Sequence, residues 1–341
     1  MSPRLLFVLA FAVAGCGSAP PPPRPAVTER RVEPEPVKPS TIVTEKEEPK
    51  PEPWRPTESG GDAPVPYVRN ERTSRLDALL PKGRGKEVWR TPLALADAPA
   101  VRATFVLAAG NRIAVTTADA WILFDTKGVR IAGRELESPY VRIDRASGAV
   151  VADDVRAPDL PADAKTAAKN GLVVLVKDGA VAVGERAIEG KFEAFDVAID
   201  ESSVASVVVK QGEELSLWTV PISSRGAIGR HKLGKGKRPI GPPVLGKNVR
   251  VVVFDTGVVA YALDGKKLWE RKGAPSGGVS ITIDDQVLVA DQNKVVAVDR
   301  KGKATELWSA PDIVLATPPI INGEGLLLVA SAELLHAISF T

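Results

Sequence analysis

Two histidines, His231 and His336, and one cysteine, Cys16, are all that 341 residues offer for imidazole or thiol chemistry. His336 lies in the apolar run Leu334-Leu335-His336-Ala337-Ile338 and reads as a packed, hydrogen-bonded side chain rather than a ligand or base. Neither histidine has a partner at a zinc-binding spacing, and no serine stands in a Gly-x-Ser-x-Gly elbow. Gly234-Lys235-Gly236-Lys237 lacks the spacing and terminal hydroxyl of a phosphate loop. Asp153, Asp154, Asp159 and Asp163 lack the order of a calcium loop and read as a solvated insert. No catalytic residue, metal or cofactor is therefore assigned.

What remains is electrostatic binding. Arg225, Arg230, His231, Lys232, Lys235, Lys237 and Arg238 fall in a stretch with no acid between Ser223 and Val253. On a loop between structural units, Arg225, Arg230, Lys232, Lys235, Lys237 and Arg238 would form a positive lobe. It would suit a carboxylate-rich protein, phospholipid headgroups or anionic glycans. The plainer reading is a solvated linker. A net charge of +3 over the whole chain is too small a bias to imply a nucleic-acid partner.

These residues sit within a repeat. One copy reads Val251–Phe254, a turn at Asp255-Thr256-Gly257, Val258–Leu263, then Asp264-Gly265-Lys266-Lys267-Leu268-Trp269. The next reads Val287–Ala290, a turn at Asp291-Gln292-Asn293, Val295–Val298, then Asp299 through Leu307-Trp308. Strand, polar turn, strand, Asp-led turn and a strand ending in Leu-Trp describe a four-stranded antiparallel unit, and repetition at this period predicts an all-β propeller.

Weaker copies begin at Arg112, near Ala149 with the insert 153–169, at Leu172 with Gly190-Lys191-Phe192 as its last part, and at Ser206. With 248–273, 285–309 and 318–340 they make seven blades, six or eight being left open. The last copy stops before its Leu-Trp strand, whereas Gly85-Lys86-Glu87-Val88-Trp89 is such a strand with nothing before it. Residues 85–93 are therefore expected to complete the last blade and close the ring, hiding sheet edges that would invite aggregation.

Ahead of the repeats, Arg4 and the apolar run Leu5–Ala14 make the h-region of a signal peptide, too short to span a bilayer. The run ends in Val13-Ala14-Gly15-Cys16, which resembles the bacterial lipoprotein signal. That resemblance implies cleavage before Cys16, acylation of its thiol, and, with Gly17 and Ser18 following, sorting to the outer membrane. Fourteen of the 29 prolines lie between Ala19 and Pro66, interleaved with Glu, Lys and Arg, a composition that favours extended polyproline II and cannot build a core. The expected layout is a signal over 1–15, an acylated disordered tether over 16–66, a lead-in over 67–84 with a short helix at Arg75–Leu80 capped by Ser74, and the propeller over 85–341. Trp54, the tether's one large aromatic, reads as an exposed side chain, with docking as the alternative.

The repeat motif carried by Ala260–Trp269, Val295–Trp308, Phe124–Gly128, His336–Ile338 and Gly85–Trp89 is similar to that of pyrroloquinoline-quinone-type propellers. The resemblance implies that Trp89, Trp269 and Trp308 pack between neighbouring blades. Quinone-dependent dehydrogenases of that family hold cofactor and calcium on the axis and commonly use an adjacent cysteine pair, which this chain lacks. The other branch, non-catalytic envelope lipoproteins, binds partners through loops. The expectation is a monomeric, periplasm-facing outer-membrane lipoprotein that serves as a platform for an envelope protein. The alternatives are an enzyme or ligand-binding protein with an axial site, and a spacer between membrane and cell wall.

Overall fold

Short runs of Val, Ile, Leu and Ala between polar turns satisfy their backbone hydrogen bonds by pairing as antiparallel strands. In a computed structural model the described residues are 50–56, 76, 78–94, 102–135, 141–152, 165–169, 172–183, 186–222 and 226–340. They belong to one compact unit and form twenty-six strands and no helix. The segment 1–15, Cys16, the insert 153–164 and Arg225 lie outside the described residues.

Strand β1 (Lys86–Pro92) comes first in sequence. The first sheet is β2 (Phe105–Ala109), β3 (Arg112–Thr116), β4 (Ala120–Asp125) and β5 (Arg130–Glu135). The second has two strands among the described residues, β6 (Val141–Ile143) and β7 (Val150–Ala152). The third is β8 (Lys165–Lys169), β9 (Leu172–Lys177), β10 (Ala180–Val183) and β11 (Arg186–Glu189). The fourth is β12 (Glu193–Ile199), β13 (Val204–Gln211), β14 (Glu214–Pro221) and β15 (Gly229–Lys235). The fifth is β16 (Val244–Leu245), β17 (Val249–Phe254), β18 (Gly257–Ala262) and β19 (Lys267–Lys272). The sixth is β20 (Gly278–Ile281), β21 (Val287–Asp291), β22 (Lys294–Val298) and β23 (Ala304–Ser309). The seventh is β24 (Ile320–Ile321), β25 (Leu327–Ala330) and β26 (Leu334–Ser339), with β1 as its outer strand.

The first strand of each sheet lies innermost: β24 meets β2, β2 meets β6, β8 meets β12, β12 meets β16 and β16 meets β20. Between the sixth and seventh sheets, Ser280 Oγ bonds to Pro319 O, and the Gly85 N–H donates to Leu307 O at 2.7 Å. The ring closes as the chain ends pair, Lys86 with Ser339, Trp89 with Ala337 and Pro92 with Leu334. Middle strands are covered on both faces by neighbouring sheets. Every residue of β17 and of β21 is accordingly buried, which is why they read as unbroken aliphatic runs rather than alternating ones.

Turn chemistry fixes the register. Asp299 Oδ1 accepts the N–H groups of Lys301 and Lys303 at 2.9 and 2.8 Å, and Asp125 Oδ1 accepts those of Lys127 and Val129, both at 2.9 Å. An Asp can imitate a backbone turn in this way, so the recurring Asp-led signature is a local folding device. At Asp178-Gly179 the glycine takes φ +76°, the left-handed geometry of a two-residue hairpin.

Four expectations need correction. The helix over 75–80 is absent among the described residues there. The Leu76 N–H instead donates to Ile281 O at 2.7 Å and Ala78 O accepts from Ile283, so extended chain lies against the sixth sheet, where pairing and the burial of Leu76 outweigh a weak serine cap. Residues 165–169 are the innermost strand β8 of the third sheet rather than part of an insert. Gly190-Lys191-Phe192 are a bend that leads into the fourth sheet, the outer strand of the third being β11. Residues 50–56, read as free tether, lie on the first sheet through hydrogen bonds of Glu52, Pro53 and Arg55.

Candidate functional site

An antiparallel meander has two ends. At the entrance end each innermost strand begins and the β2–β3–β4-type hairpins make their second turn; at the turn end lie the first and third turns of each sheet. The functional features divide between these ends.

At the entrance end, the starts of four sheets surround a pocket of about 210 Å³ bounded by Phe105, Ile240, Pro242, Val279 and Pro318. Thr104 and Ser276 supply its hydroxyls; the Thr104 hydroxyl bonds within its own sheet to Thr116 O at 3.0 Å, while Ser276 Oγ is buried without a hydrogen-bond partner. Among the described residues lining it, none is ionisable, so the pocket can pack an apolar group and bond to one or two polar atoms but cannot move a proton.

Beside it, at the hairpin between β13 and β14, a shallow cleft of about 490 Å³ is lined by Lys210, Glu213, Leu215, Lys235, Lys237 and Arg238. Of the basic residues singled out in the sequence, Lys235, Lys237 and Arg238 line this cleft, and Lys237 and Arg238 lie on the loop that joins the fourth sheet to the fifth, as expected. Arg230, Lys232 and Lys235 lie on strand β15, because alternating exposure lets a strand carry cations outward while Leu233 packs inward. Acids from neighbouring strands and the β13–β14 turn meet them: Lys232 Nζ lies 2.9 Å from Glu214, Lys235 Nζ 3.9 Å from Glu213, and Lys237 Nζ 2.7 Å from Glu270. The hydrogen bonds from Lys237 and Lys267 hold the Glu270 carboxyl down at about 2. Arg230 stacks its guanidinium 4.8 Å from the Trp218 ring centre, and the Arg238 N–H donates to Asp255. Lys210 Nζ lies 3.4 Å from Glu193, so three of the four cations on the rim are paired with carboxylates and Arg238 supplies the excess positive charge.

The tryptophans mark the joints. Trp89 donates its indole N–H to Thr126 O at 2.8 Å across the seam from the seventh sheet to the first, and its ring faces Gly128. Trp269 of the fifth sheet covers Gly302 of the sixth, and Trp308 of the sixth stands 5.3 Å, centre to centre, from His336 of the seventh. The sequence reading missed that His231 takes the corresponding place over Gly265, joining the fourth sheet to the fifth. Burial pushes its imidazole below the ordinary value, and Arg250 adds to the effect. The signal was there: His231 sits on the last strand of its sheet, the position at which the fifth and sixth sheets carry Trp269 and Trp308. His336 is fully buried with Nδ1 at 3.2 Å from Glu87 Oε1. Among the described residues no three His, Cys, Asp or Glu gather as a metal site.

No protein-family model matches the chain, and no curated sequence is significantly similar to it. Among solved structures, a catalytically inactive virginiamycin B lyase from Staphylococcus aureus with quinupristin is similar. It shares 12% identity over 74% of this chain and 99% of that chain, with a TM-score of 0.50. The fold is a β-propeller. The WD40 domain of Neurospora crassa Pan2 is also similar, at 10% identity over 77% of this chain and 98% of that one, with a TM-score of 0.49. BamB from Moraxella catarrhalis shares 14% identity over 75% of this chain and all of that one, with a TM-score of 0.42. At such identities likeness speaks to fold alone, because propellers host unrelated functions. What this propeller does has to be argued from its own two ends.

Proposed function

We propose that this chain is an acyl-anchored lipoprotein of the bacterial outer membrane whose propeller serves, without catalysis of its own and without a cofactor, as a docking platform for an envelope protein. The observation that carries this reading is the chemistry of the entrance end. An apolar mouth of proline, glycine and aliphatic side chains lies next to a cleft rimmed by Lys210, Lys235, Lys237 and Arg238. An apolar centre with a charged rim is the anatomy of a protein-binding patch. The anchor follows from Val13-Ala14-Gly15-Cys16. The fitting partner presents an apolar side chain to Ile240 and Pro242 and carboxylates to the cleft.

Photo-crosslinking amino acids placed at Ile240 and at Arg238, in intact cells, test this. Both positions should capture the same envelope protein, and Cys16→Ser should abolish capture by releasing the chain from the membrane. Changing Arg230, Lys232, Lys235 and Lys237 together to Ser should weaken recovery of that protein at low salt. Capture of unrelated proteins from the two positions, or unaltered recovery by the quadruple variant, sinks the reading.

A further inference from the structure

The turn end of the propeller carries a groove between the first and second blades, and a stretch of the tether is seated in it. The prolines at 51, 53 and 56 have no N–H to satisfy, and the N–H groups of Glu52 and Arg55 both find acceptors, Asp125 Oδ2 at 3.1 Å and Asn111 Oδ1 at 2.8 Å. Asn111, 2% exposed, uses its whole amide on the segment: the oxygen takes the Arg55 N–H and the nitrogen donates to Pro53 O at 2.7 Å. Its own backbone N–H donates to Arg55 O at 3.1 Å. Arg112, also buried, donates to Glu52 O at 2.9 Å and lies 5.7 Å from the Trp54 ring centre.

The indole of Trp54 donates to Ala146 O at 3.1 Å and its six-membered ring lies against two glycines. A methyl group on Gly148 would come within 2.4 Å of that ring, and one on Gly110 within 2.7 Å. Gly110 and Gly148 take left-handed turn conformations, φ +52° and +69°, and so leave room for the indole, while buried polar side chains read the peptide backbone; together these make a binding site. Proline already holds the segment extended, so little entropy is lost on seating it.

We propose that this groove is a recognition site for an extended, proline-bracketed tryptophan segment, and that Glu52–Arg55 fills it in cis as a clasp. The clasp holds residues 52–55 at the turn end of the propeller. On the platform reading, which this consequence rests on, it leaves the pocket and cleft at the opposite, entrance end uncovered.

A labelled peptide spanning residues 50–56 is the probe, read by fluorescence anisotropy against the full chain. In the wild type, the tethered segment holds the groove at an effective concentration on the order of millimolar and should exclude micromolar peptide. Trp54→Ala should empty the groove and tighten peptide binding by at least about tenfold, since the tethered competitor is lost. Adding Asn111→Ala should abolish that binding. Equal binding to wild type and Trp54→Ala, or none to either, overturns the clasp. Should the double variant fail to fold, amide exchange in the wild type decides. Slow exchange at Glu52 and Arg55 supports the clasp, and exchange as fast as in the free peptide overturns it. Neither readout involves an envelope partner, so failure here leaves the platform reading to its own cross-linking test.

Discussion

At the scale of single residues, the most informative group is the imidazole of His336. Its ring is enclosed between Trp308 and the aliphatic core, its Nδ1 faces Glu87, and its Nε2 has no partner. Burial pushes its pKa below the ordinary value of 6.5, and the nearby Glu87 only partly offsets that effect. The unfolded chain therefore takes up a proton near pH 6.5 while the folded one resists, so stability is whole above that pH and declines as pH falls below it. His231, shifted in the same direction, adds to the decline. Comparing melting temperatures at pH 7.5 and 5.5 should show a clear loss for the wild type and a smaller loss for His336→Leu. Glu87, with a side chain 26% exposed, can be solvated once its partner is gone. An unchanged gap between the two pH values would show that the imidazole does not govern acid sensitivity. The apolar neighbours of His336 made its burial legible in the sequence; the facing Glu87, on a strand from the opposite end of the chain, was not, because only ring closure brings them together.

At the scale of elements, the blade is a strand set plus one joint. Trp269 projects from β19 onto the turn of the next blade, where Gly302 adopts φ +83°; a methyl group there would lie 2.8 Å from the Trp269 Cβ. Large side chain and missing side chain fit one another across the seam, so Trp269→Ala leaves a cavity that neither rigid sheet can fill. It should cost about 3–5 kcal/mol in urea unfolding without changing the denaturant slope. A loss below about 1 kcal/mol would mean that the seam is held by backbone and aliphatic contacts instead. The Leu-Trp ending and the Asp-led turn were readable because each repeats at fixed spacing. Strand β8 was not, since Lys165-Thr166-Ala167-Ala168-Lys169 is short and mostly small, and only pairing with β9 makes it a strand. The basic run divides between strand and loop for a related reason: Arg230, Lys232 and Lys235 belong to β15 while Lys237 and Arg238 are on the loop after it, and the acids that meet them, Glu213, Glu214 and Glu270, are distant in sequence.

At the scale of the whole molecule, seven sheets in a ring leave each held by two neighbours, and the seam made by the chain ends decides whether the ring is one cooperative body. The seam pairs β1 with β26 through six residue pairs, broken by one irregularity between Glu87 and Trp89. Closure was legible because the two ends of the sequence are complementary fragments of one repeat; the seat of Trp54 was not, because the reader residues Asn111 and Arg112 carry no signature of peptide binding. Lys86 and Ser339 face each other in register at the rim of the seam. In a chain whose Cys16 is replaced by Ser, Lys86→Cys with Ser339→Cys leaves only that thiol pair. Oxidation should join them without distorting the fold. A loop this long removes so much freedom from the unfolded chain that the gain is on the order of 5 kcal/mol, seen as a higher melting temperature that reductant reverses. Cross-linking between separate molecules in place of the internal bridge, or an oxidised form no more stable than the reduced one, would mean that the ends do not seal the ring. The blade-to-blade joints would then have to hold an open arc with a bare edge on β26.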